Sequence, residues 1–333
     1  MKDSRLNAAA VVIAAAVAAP LAISDPFLQN MLILVVLYTA LSQAWNILGG
    51  YCGQVSLGHA LFFGLGAYVS TVLFTRWGIS PFLGMLVGGT VSAGVALAVG
   101  WPCFRLSGHY FAIATIVIAE IGSLLFLNWD WVGAANGILI RVGRDSLVNF
   151  QFQTSKLPYY YAILVIAAVL WLFTFWIERS KWGYYWRAVK NSPEAAESLG
   201  VRIFRYKLAA AAASAFFTGV CGGFYAQYVS YIDPDSVFSF NLSIMISLPA
   251  VLGGIGTLWG PAVGALALIP MSEFVRVYFG GTGRGVDLII YGALITAVAT
   301  WKPEGLCGLF ASGYRRLAAA RRPRRDGSME IGS

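Results

Sequence analysis

Charged residues are scarce in this 333-residue sequence, where Asp, Glu, Lys and Arg together make up 11% of the chain. Soluble domains carry about 25% charged residues, and a folded domain of this length needs them to cover its surface. Hydrophobic residues instead make up 58% of the chain, which also excludes a disordered polypeptide. The scarcity of charge therefore excludes a soluble protein and predicts one that lies in a lipid bilayer.

Signatures of disulfide scaffolds, metal sites and nucleotide binding are missing as well. The four cysteines lie in or beside apolar stretches without a CxxC spacing, so we interpret them as small packing residues. The two histidines, His59 and His109, have no Cys or acidic ligand near them in sequence, and no metal site is expected. Neither GxxxxGKS nor GxxxxGKT occurs, so any ATP-driven work requires another subunit to hold the nucleotide.

Long apolar runs dominate what is present, and a transmembrane helix needs about 20 such residues. These runs predict ten spans, over residues 7–24, 28–48, 58–75, 82–101, 109–127, 158–177, 208–230, 241–258, 260–279 and 286–301. Glycines and a proline interrupt the stretch 241–279, so a broken or re-entrant helix is the alternative there. The ten-residue alternating segments of an outer-membrane barrel do not occur. The expected fold is an all-α polytopic membrane protein with eight to ten transmembrane helices.

The distribution of basic residues predicts how these spans are oriented. With the N-terminus in the cytoplasm, ten spans place seventeen of the 23 Lys and Arg on the cytoplasmic side. Segment 178–207 and both termini are then cytoplasmic and loop 128–157 is periplasmic, so the net charge of +8 reflects topology and no nucleic-acid partner. The first span also resembles a signal peptide, and its cleavage would reverse this orientation. Residues 1–311 form the predicted transmembrane domain, and residues 312–333 form a basic cytoplasmic tail near anionic lipid.

Segment 178–207 is the one sizeable polar stretch between spans on the predicted cytoplasmic side. Ser192 is suited to cap a helix, a proline follows in the first turn, and Gly200 can close the helix in a left-handed conformation. These signals predict a two-turn helix whose Ala195-Ala196 pair offers a smooth face for docking into a groove of another protein. An amphipathic segment lying on the membrane surface is the alternative.

Other breaks in the apolar pattern are candidate parts of a solute path. In segment 49–68, a half-helix that begins near Gly58 would aim its N–H groups at a solute carboxylate. A tight turn with packed glycines is the alternative for this segment. Glu120 lies in the middle of span 109–127, where an ionisable group indicates either a transport role or a pairing with another membrane subunit. Together with the second glycine-rich segment, the candidate path residues are Gln54, Ser56, Gly58, His59, Glu120, Gly253 and Gly254.

Three classes of function are compatible with a polytopic membrane protein of this kind. A permease driven by separate ATPases needs a cytoplasmic coupling helix. A stand-alone secondary transporter or channel does not need one, and it usually carries more intramembrane acids. An intramembrane enzyme needs a nucleophile with its base or a metal site, and no such spacing occurs. The polar segment 178–207 favours the first class.

Several stretches of the sequence resemble a known family. They are Gly53-Gln-Val-Ser-Leu-Gly-His-Ala-Leu-Phe-Phe-Gly-Leu-Gly-Ala-Tyr68, Gly108-His-Tyr-Phe-Ala-Ile-Ala-Thr115 and Leu252-Gly-Gly-Ile-Gly-Thr-Leu-Trp-Gly-Pro261. The chain resembles the permeases of branched-chain amino acid importers of the ATP-binding-cassette (ABC) type, the LivM/LivH family, and is closer to the LivM side. The match runs from about residue 30 to residue 300.

The resemblance implies both a site and a set of partners. Glu194, Ala195, Ala196 and Gly200 resemble the motif that couples such permeases to their ATPases. The implied partners are a LivH-like second permease, two cytoplasmic LivG- and LivF-like ATPases that use ATP and Mg²⁺, and a periplasmic solute-binding protein. The chain itself would be a multi-pass protein of the bacterial inner membrane, without enzyme activity or a bound cofactor. The implied solutes are branched-chain and related amino acids, with urea, short amides and aromatic acids as alternatives.

Overall fold

The computed structural model describes residues 17–21, 23, 25–106, 108–141, 149–152, 155–279, 292–293, 296 and 306–307. The main helices are α1 (Pro26–Asn46), α2 (His59–Trp77), α3 (Pro81–Cys103), α4 (His109–Leu127), α5 (Leu157–Arg179), α6 (Lys181–Asn191), α7 (Pro193–Ser198), α8 (Ile203–Val229), α9 (Pro234–Val237), α10 (Phe240–Gly253) and α11 (Gly260–Phe279). The other elements are a π-helix (Ile47–Tyr51), two 3₁₀ turns (Asp130–Val132 and Ala134–Asn136) and strands β1 (Ile138–Leu139) and β2 (Tyr231–Ile232). The described residues are thus mostly helical, as predicted, with two strands of two residues each.

Seven helices of the described part are long and apolar enough to cross a membrane. They are α1 with its π-helical extension, α2, α3, α4, α5, α8 and the unit formed by α9 and α10. The apolar part of α11, Gly260–Val275, is shorter. The predicted number of about ten spans is therefore not confirmed: most of span 7–24 and most of span 286–301 lie outside the described residues. The predicted tail, residues 312–333, lies outside them as well.

The apolar stretch 241–279 is broken, as the alternative reading of the sequence allowed. α10 ends at Gly253 and α11 begins at Gly260, and the chain turns between them at Gly254 (φ +130°) and Gly256 (φ +76°). Residues other than glycine rarely adopt such positive φ values, so the two glycines make this turn possible. A Cβ at Gly253 would lie 1.8 Å from the Gly260 carbonyl oxygen. The two helices therefore form a tight hairpin and not one straight span.

Helices α2, α3 and α8 pack most extensively on one another and form the centre of the molecule. A Cβ at Gly66 of α2 would lie 2.0 Å from the Gly219 carbonyl oxygen of α8. A Cβ at Gly222 would lie equally close, 2.0 Å, to the Phe63 carbonyl oxygen. Small residues let helix backbones touch in a membrane, where lipid supplies no hydrophobic force between helices. Glycine at these positions brings α2 and α8 into direct backbone contact, and a Cβ at Gly88 of α3 would lie 2.8 Å from the Gly66 carbonyl oxygen.

Different structures close the two ends of the helix array. At one end, β1 and β2 pair antiparallel with Ile138 opposite Ile232, and the Arg76 guanidinium lies 4.4 Å from the centre of the Trp131 ring. At the other end lie the π-helix, the turn between α10 and α11, and the surface helices α6 and α7. The segments that share an end are those that the predicted topology places on one side of the membrane. Which end faces the cytoplasm stays a prediction.

Candidate functional site

The π-helix after α1 and the turn between α10 and α11 lie against each other. Asn46, the last residue of α1, donates a hydrogen bond from Nδ2 to the Thr257 carbonyl oxygen at 2.9 Å. Its Oδ1 accepts one from the Gly256 backbone N–H at 2.8 Å. Asn46 is fully buried, so a single amide side chain satisfies a donor and an acceptor of this turn. We call this place, together with Gly50 and Lys190, the junction.

The backbone at Gly50 leaves no room for a side chain in the junction. A Cβ at Gly50 would lie 1.9 Å from Asn46 Oδ1 and 2.7 Å from the Gly256 nitrogen. Gly50 belongs to the π-helix, a form in which hydrogen bonds run to a residue further along the chain than in an α-helix. Its carbonyl oxygen accepts a hydrogen bond from outside the helix. Any shift of this short segment therefore displaces both Asn46 and the turn at Gly256.

Lys190 connects the junction to the surface helices. It lies at the end of α6, and its Nζ donates a hydrogen bond to the Gly50 carbonyl oxygen at 2.8 Å. The aliphatic part of the side chain passes Gly53, where a Cβ would lie 2.8 Å from Lys190 Cγ. Partial desolvation lowers the pKa of the Lys190 ammonium. One long side chain therefore joins a surface helix to the interrupted end of α1.

Helix α6 was not expected, because the sequence predicted a single two-turn helix within an otherwise irregular polar segment. The helix forms because Trp186 and Val189 turn one apolar face inward while the charged residues stay outside. Trp186 is buried, and its Nε1 donates to the Tyr206 carbonyl oxygen of α8 at 3.0 Å. Arg187 donates to the Glu178 carbonyl oxygen at 2.6 Å. These contacts fix α6 to the ends of α5 and α8.

Helix α7 is the predicted two-turn helix, and its caps are those that the sequence indicates. Ser192 Oγ accepts a hydrogen bond from the Ala195 N–H at 3.4 Å. Gly200 has a φ of +81° and donates from its N–H to the Glu197 carbonyl oxygen at 2.8 Å. The expected two-alanine face needs a correction, because Ala196 is only 3% exposed and packs inward. Ala195 is exposed and remains available to a partner.

An open groove of about 420 Å³ lies next to α7. Aromatic, aliphatic and basic side chains form its walls: Trp182, Tyr185, Leu199, Gly200, Val201, Arg202, Arg205 and Tyr206. Leu199 at its edge is 85% exposed, which is unusual for a leucine that ends a helix. A groove with apolar walls and two arginines is suited to receive a partner segment that carries acidic residues. Glu194, in the first turn of α7, is exposed beside it.

The start of α2 is held by hydroxyl groups of this chain. Gly58 is the N-cap, and the neighbouring Leu57 N–H donates to Thr115 Oγ1 at 3.0 Å. The Ala60 N–H donates to Ser243 Oγ at 2.9 Å. These two N–H groups are among those expected to face a solute carboxylate. Helices α4 and α10 supply their acceptors instead, so the start of α2 is tied to both helices.

The two polar candidates before α2 differ in exposure. Ser56 is 2% exposed, and its carbonyl oxygen accepts a hydrogen bond from Trp45 Nε1 at 2.7 Å. Gln54 is half-buried, and its N–H donates to the Leu48 carbonyl oxygen at 3.0 Å. The partners of these two residues, Trp45 and Leu48, lie within two positions of Asn46 in sequence. Both candidates are therefore bonded next to the junction. Their part in a solute path stays a prediction.

His59 is buried where α1, α2 and α8 meet. Its Nε2 lies 2.8 Å from Ser214 Oγ, and that hydroxyl donates its proton to the Ala44 carbonyl oxygen at 2.7 Å. Because the Ser214 proton is used in this way, His59 Nε2 carries the proton of its own hydrogen bond. The side chain thus links three helices, and a role in a solute path stays a prediction.

The structure places the candidate path residues in separate regions of the described chain. Gly253 and Gly254 form the turn of the α10–α11 hairpin, and the residues around Ser56 approach the other side of the junction. Glu120 stands apart from them on an exposed face of α4. Sequence reasoning missed Asn46 and Lys190, although each carries a visible signal. An asparagine two residues before the Leu-Gly-Gly break at 48–50, and a lysine two residues before the helix cap Ser192, are both candidates for bonding an interrupted backbone.

The described chain has seven apolar helices long enough to cross a membrane, and polar side chains bond its interrupted helix pair. This combination is typical of a multi-pass membrane transport protein. The chain belongs to the family described as branched-chain amino acid transport system / permease component, which matches residues 27–299. This family membership, with the similarities below, confirms the predicted permease subunit of an ABC importer. No solved structure matches the chain.

Relatives of two named types are similar to this chain over most of its length. It is 28% identical over 294 residues to the high-affinity branched-chain amino acid transport system permease protein LivM of Salmonella typhimurium, covering 81% of this chain and 68% of that protein. It is 26% identical over 314 residues to LivM of Escherichia coli K12, covering 86% and 72%. It is also 26% identical over 301 residues to LivH of Salmonella typhimurium, covering 85% and 96%. These relatives are permease subunits, which are transport components and not enzymes.

Proposed function

We propose that this chain carries branched-chain or related amino acids across the bacterial inner membrane as one half of a paired permease. The names of its LivM and LivH relatives support this class of solute. Similarity to both types supports a LivH-like subunit as the other half. Two cytoplasmic ATPases of the LivG and LivF type would hydrolyse ATP with Mg²⁺, and a periplasmic binding protein would deliver the solute. The chain itself would bind no cofactor, and both of its termini would lie in the cytoplasm.

One observation carries the coupling part of this proposal: the hydrogen bond from Lys190 Nζ to the Gly50 carbonyl oxygen. It joins a helix at the surface to the π-helix, and the π-helix touches the turn at Gly256. Trp186 and Val189 hold α6 to the body of the protein along one buried face. A push on α6 is therefore transmitted through Lys190 to the place where both interrupted helices meet.

The residues of α7 take distinct roles in this mechanism. Glu194 and Ala195 are exposed and would contact the ATPase, while Ala196 packs inward and holds the helix on the protein. Gly200 closes the helix and turns the chain toward α8. The groove next to Leu199 would accept a segment of the ATPase. Closure of the ATPases on ATP would move α6 and α7 together, and the junction would open or close the path near Ser56 and Gly254.

The coupling proposal is tested with the complete complex in proteoliposomes, using Lys190→Met. Methionine keeps the packing past Gly53 but cannot donate to the Gly50 carbonyl, and a hydrogen bond from a charged group is worth about 1.5–3 kcal/mol. We expect ATP-driven uptake to fall at least fivefold while ATP hydrolysis persists. The matched control is Lys181→Met at the other end of α6, where the lysine is also exposed but its side chain bonds to no described residue. Equal uptake by both variants would contradict the coupling role of Lys190.

The solute class is tested separately in the same proteoliposomes. Labelled leucine should accumulate only with ATP and the binding protein, and excess isoleucine or valine should compete with it. Urea, acetamide and benzoate should not compete. Accumulation of one of these three in place of leucine would keep the permease assignment and overturn the amino acid class.

A further inference from the structure

Helix α4 packs on the rest of the protein along one face. Phe111, Ala119 and Phe126 are buried, and a Cβ at Gly122 would lie 2.4 Å from the Leu61 side chain of α2. The position of this face is therefore fixed by direct contact with α2. The opposite face is exposed along the whole helix. It consists of Ile113, Val117, Glu120, Ile121 and Leu124, and we call it the α4 outer face.

Glu120 lies deep within this apolar face. It follows the first residue of α4 by eleven positions and precedes the last by seven. At 1.5 Å per residue it is roughly 16 Å and 10 Å from the two helix ends, too far for a glutamate side chain to reach water by stretching along the helix. The Glu120 carboxyl group makes no hydrogen bond or ion pair with any residue that the structure describes. Hydrocarbon chains offer a carboxyl group no partner, so lipid is an unsuitable cover for this face.

We propose that the second permease subunit covers the α4 outer face and places a hydrogen-bond donor on Glu120. This inference rests on the proposed function for the existence of that subunit. Intramembrane acids face the interior of a helix bundle, a water-filled cavity or a pairing group. The aliphatic side chains around Glu120 would form a dry contact with the neighbouring helix, and the donor would satisfy the acid within it. The α4 outer face is then part of the boundary between the two permeases.

A subunit of different sequence fits this face better than a second copy of the chain. If α4 packed on α4 around a two-fold axis, two Glu120 carboxyl groups would lie opposite each other, and they would repel each other unless one or both were protonated. The exposed face of α3 offers a contrast. Its exposed large side chains in the first half of the helix, Phe82, Leu83, Leu86 and Val87, include no acid and are suited to lipid.

Site-specific photo-crosslinking in the native membrane distinguishes these covers. A benzophenone amino acid replaces Ile121 on the α4 outer face, and in a control it replaces Leu86 of α3; the two residues are 51% and 52% exposed. After irradiation we expect an adduct with the second permease at position 121, identified by mass spectrometry, and lipid adducts at position 86. Lipid adducts alone at position 121, or adducts with a second copy of this chain, would overturn the inference.

Substitution of the acid gives an independent measurement. Glu120→Leu suits an apolar face but removes the acceptor, so recovery of the second permease with the tagged chain should fall roughly three- to tenfold. Glu120→Gln still accepts a hydrogen bond and should retain at least half of the recovery. Unchanged recovery with Glu120→Leu would show that the acid has no partner there. If the wild-type chain recovers no second permease, the proposed function fails; if it does and position 121 contacts only lipid, the inference alone fails.

Discussion

Replacing Gly200 tests whether the closed form of α7 is needed for transport. This glycine ends the helix with a φ of +81°, in a backbone region that residues other than glycine rarely adopt. A Cβ at this position would meet no atom within 4 Å. A substitution therefore changes only the preference of the backbone and creates no collision. We expect ATP-driven uptake to fall in the order Gly, Asn, Ala, Val.

The size of the effect follows from the backbone alone. A residue other than glycine loses about 1–2 kcal/mol in the left-handed conformation, with Asn least affected and a β-branched residue at the upper end. Since 1.4 kcal/mol is a factor of ten, the closed turn becomes about fivefold rarer with Ala and about thirtyfold rarer with Val. Uptake by Gly200→Val should therefore fall below about a fifth of the wild-type rate, whereas Gly200→Asn should stay close to it.

Gly78 provides a matched control for this series. It ends α2 with a φ of +64°, a Cβ there would also meet no atom within 4 Å, and it lies at the end of the molecule opposite α7. Gly78→Val therefore imposes a similar backbone cost without touching the surface helices. Both variants should insert into the membrane equally well, as judged by the amount of monodisperse protein recovered. Equal rates of uptake for Gly200→Val and Gly78→Val would refute the coupling role of the α7 closure.

Three further predictions concern the junction, the path and the topology. Asn46→Leu removes both bonds to the α10–α11 turn at a cost of about 2–4 kcal/mol, so the detergent-solubilised protein should melt at a lower temperature. Asn128→Leu, which loses one exposed local hydrogen bond, should not change the melting temperature. Equal shifts in the two variants would contradict a stabilising role of Asn46 in the junction. In a cysteine-free background, Ser56→Cys should react slowly with a small thiol reagent at rest, because Ser56 is 2% exposed, and at a different rate when ATP hydrolysis is trapped. An unreactive thiol in every state, with normal uptake, would contradict a path at this residue. A cysteine at position 191 should be labelled only from the cytoplasmic side and cysteines in loop 128–157 only from outside, and the reverse pattern would invert the topology.

Local signals predicted those parts of the structure whose causes are local. Ser192 and Gly200 mark the ends of α7 because a cap acts through its own neighbouring backbone. The predicted span 109–127 coincides with α4 because apolar residues fill it from Gly108 onward. Helix α6 was missed because Lys181, Arg187 and Lys190 are interspersed with its apolar residues and hid the inward face formed by Trp186 and Val189.

The contacts of the candidate site were beyond local reasoning. Asn46 and Gly256 lie 210 positions apart in sequence, and no periodicity joins them. Lys190 and Gly50 lie 140 apart. The length of the predicted span showed how deep Glu120 lies in the membrane. It did not show whether Glu120 faces the rest of the protein or points away from it. Helix α4 is apolar on nearly every side, so its sequence carries no stripe that distinguishes the face toward the protein from the face away from it.

The backbone contacts among α2, α3 and α8 also determine where the molecule can deform. At Gly66, Gly88 and Gly222 no side chain separates one backbone from the next, so there are no rotamers that could absorb a sliding movement. These three helices therefore behave as a single stiff block. The α10–α11 hairpin is instead held to α1 by side chains, among them the two hydrogen bonds of Asn46 and the apolar contact of Val35 with Ala265 and Ile269. Strain from the surface helices is thus released along the contact between α1 and the hairpin, and this contact rather than the stiff block is where transport should be sensitive to temperature and to membrane thickness.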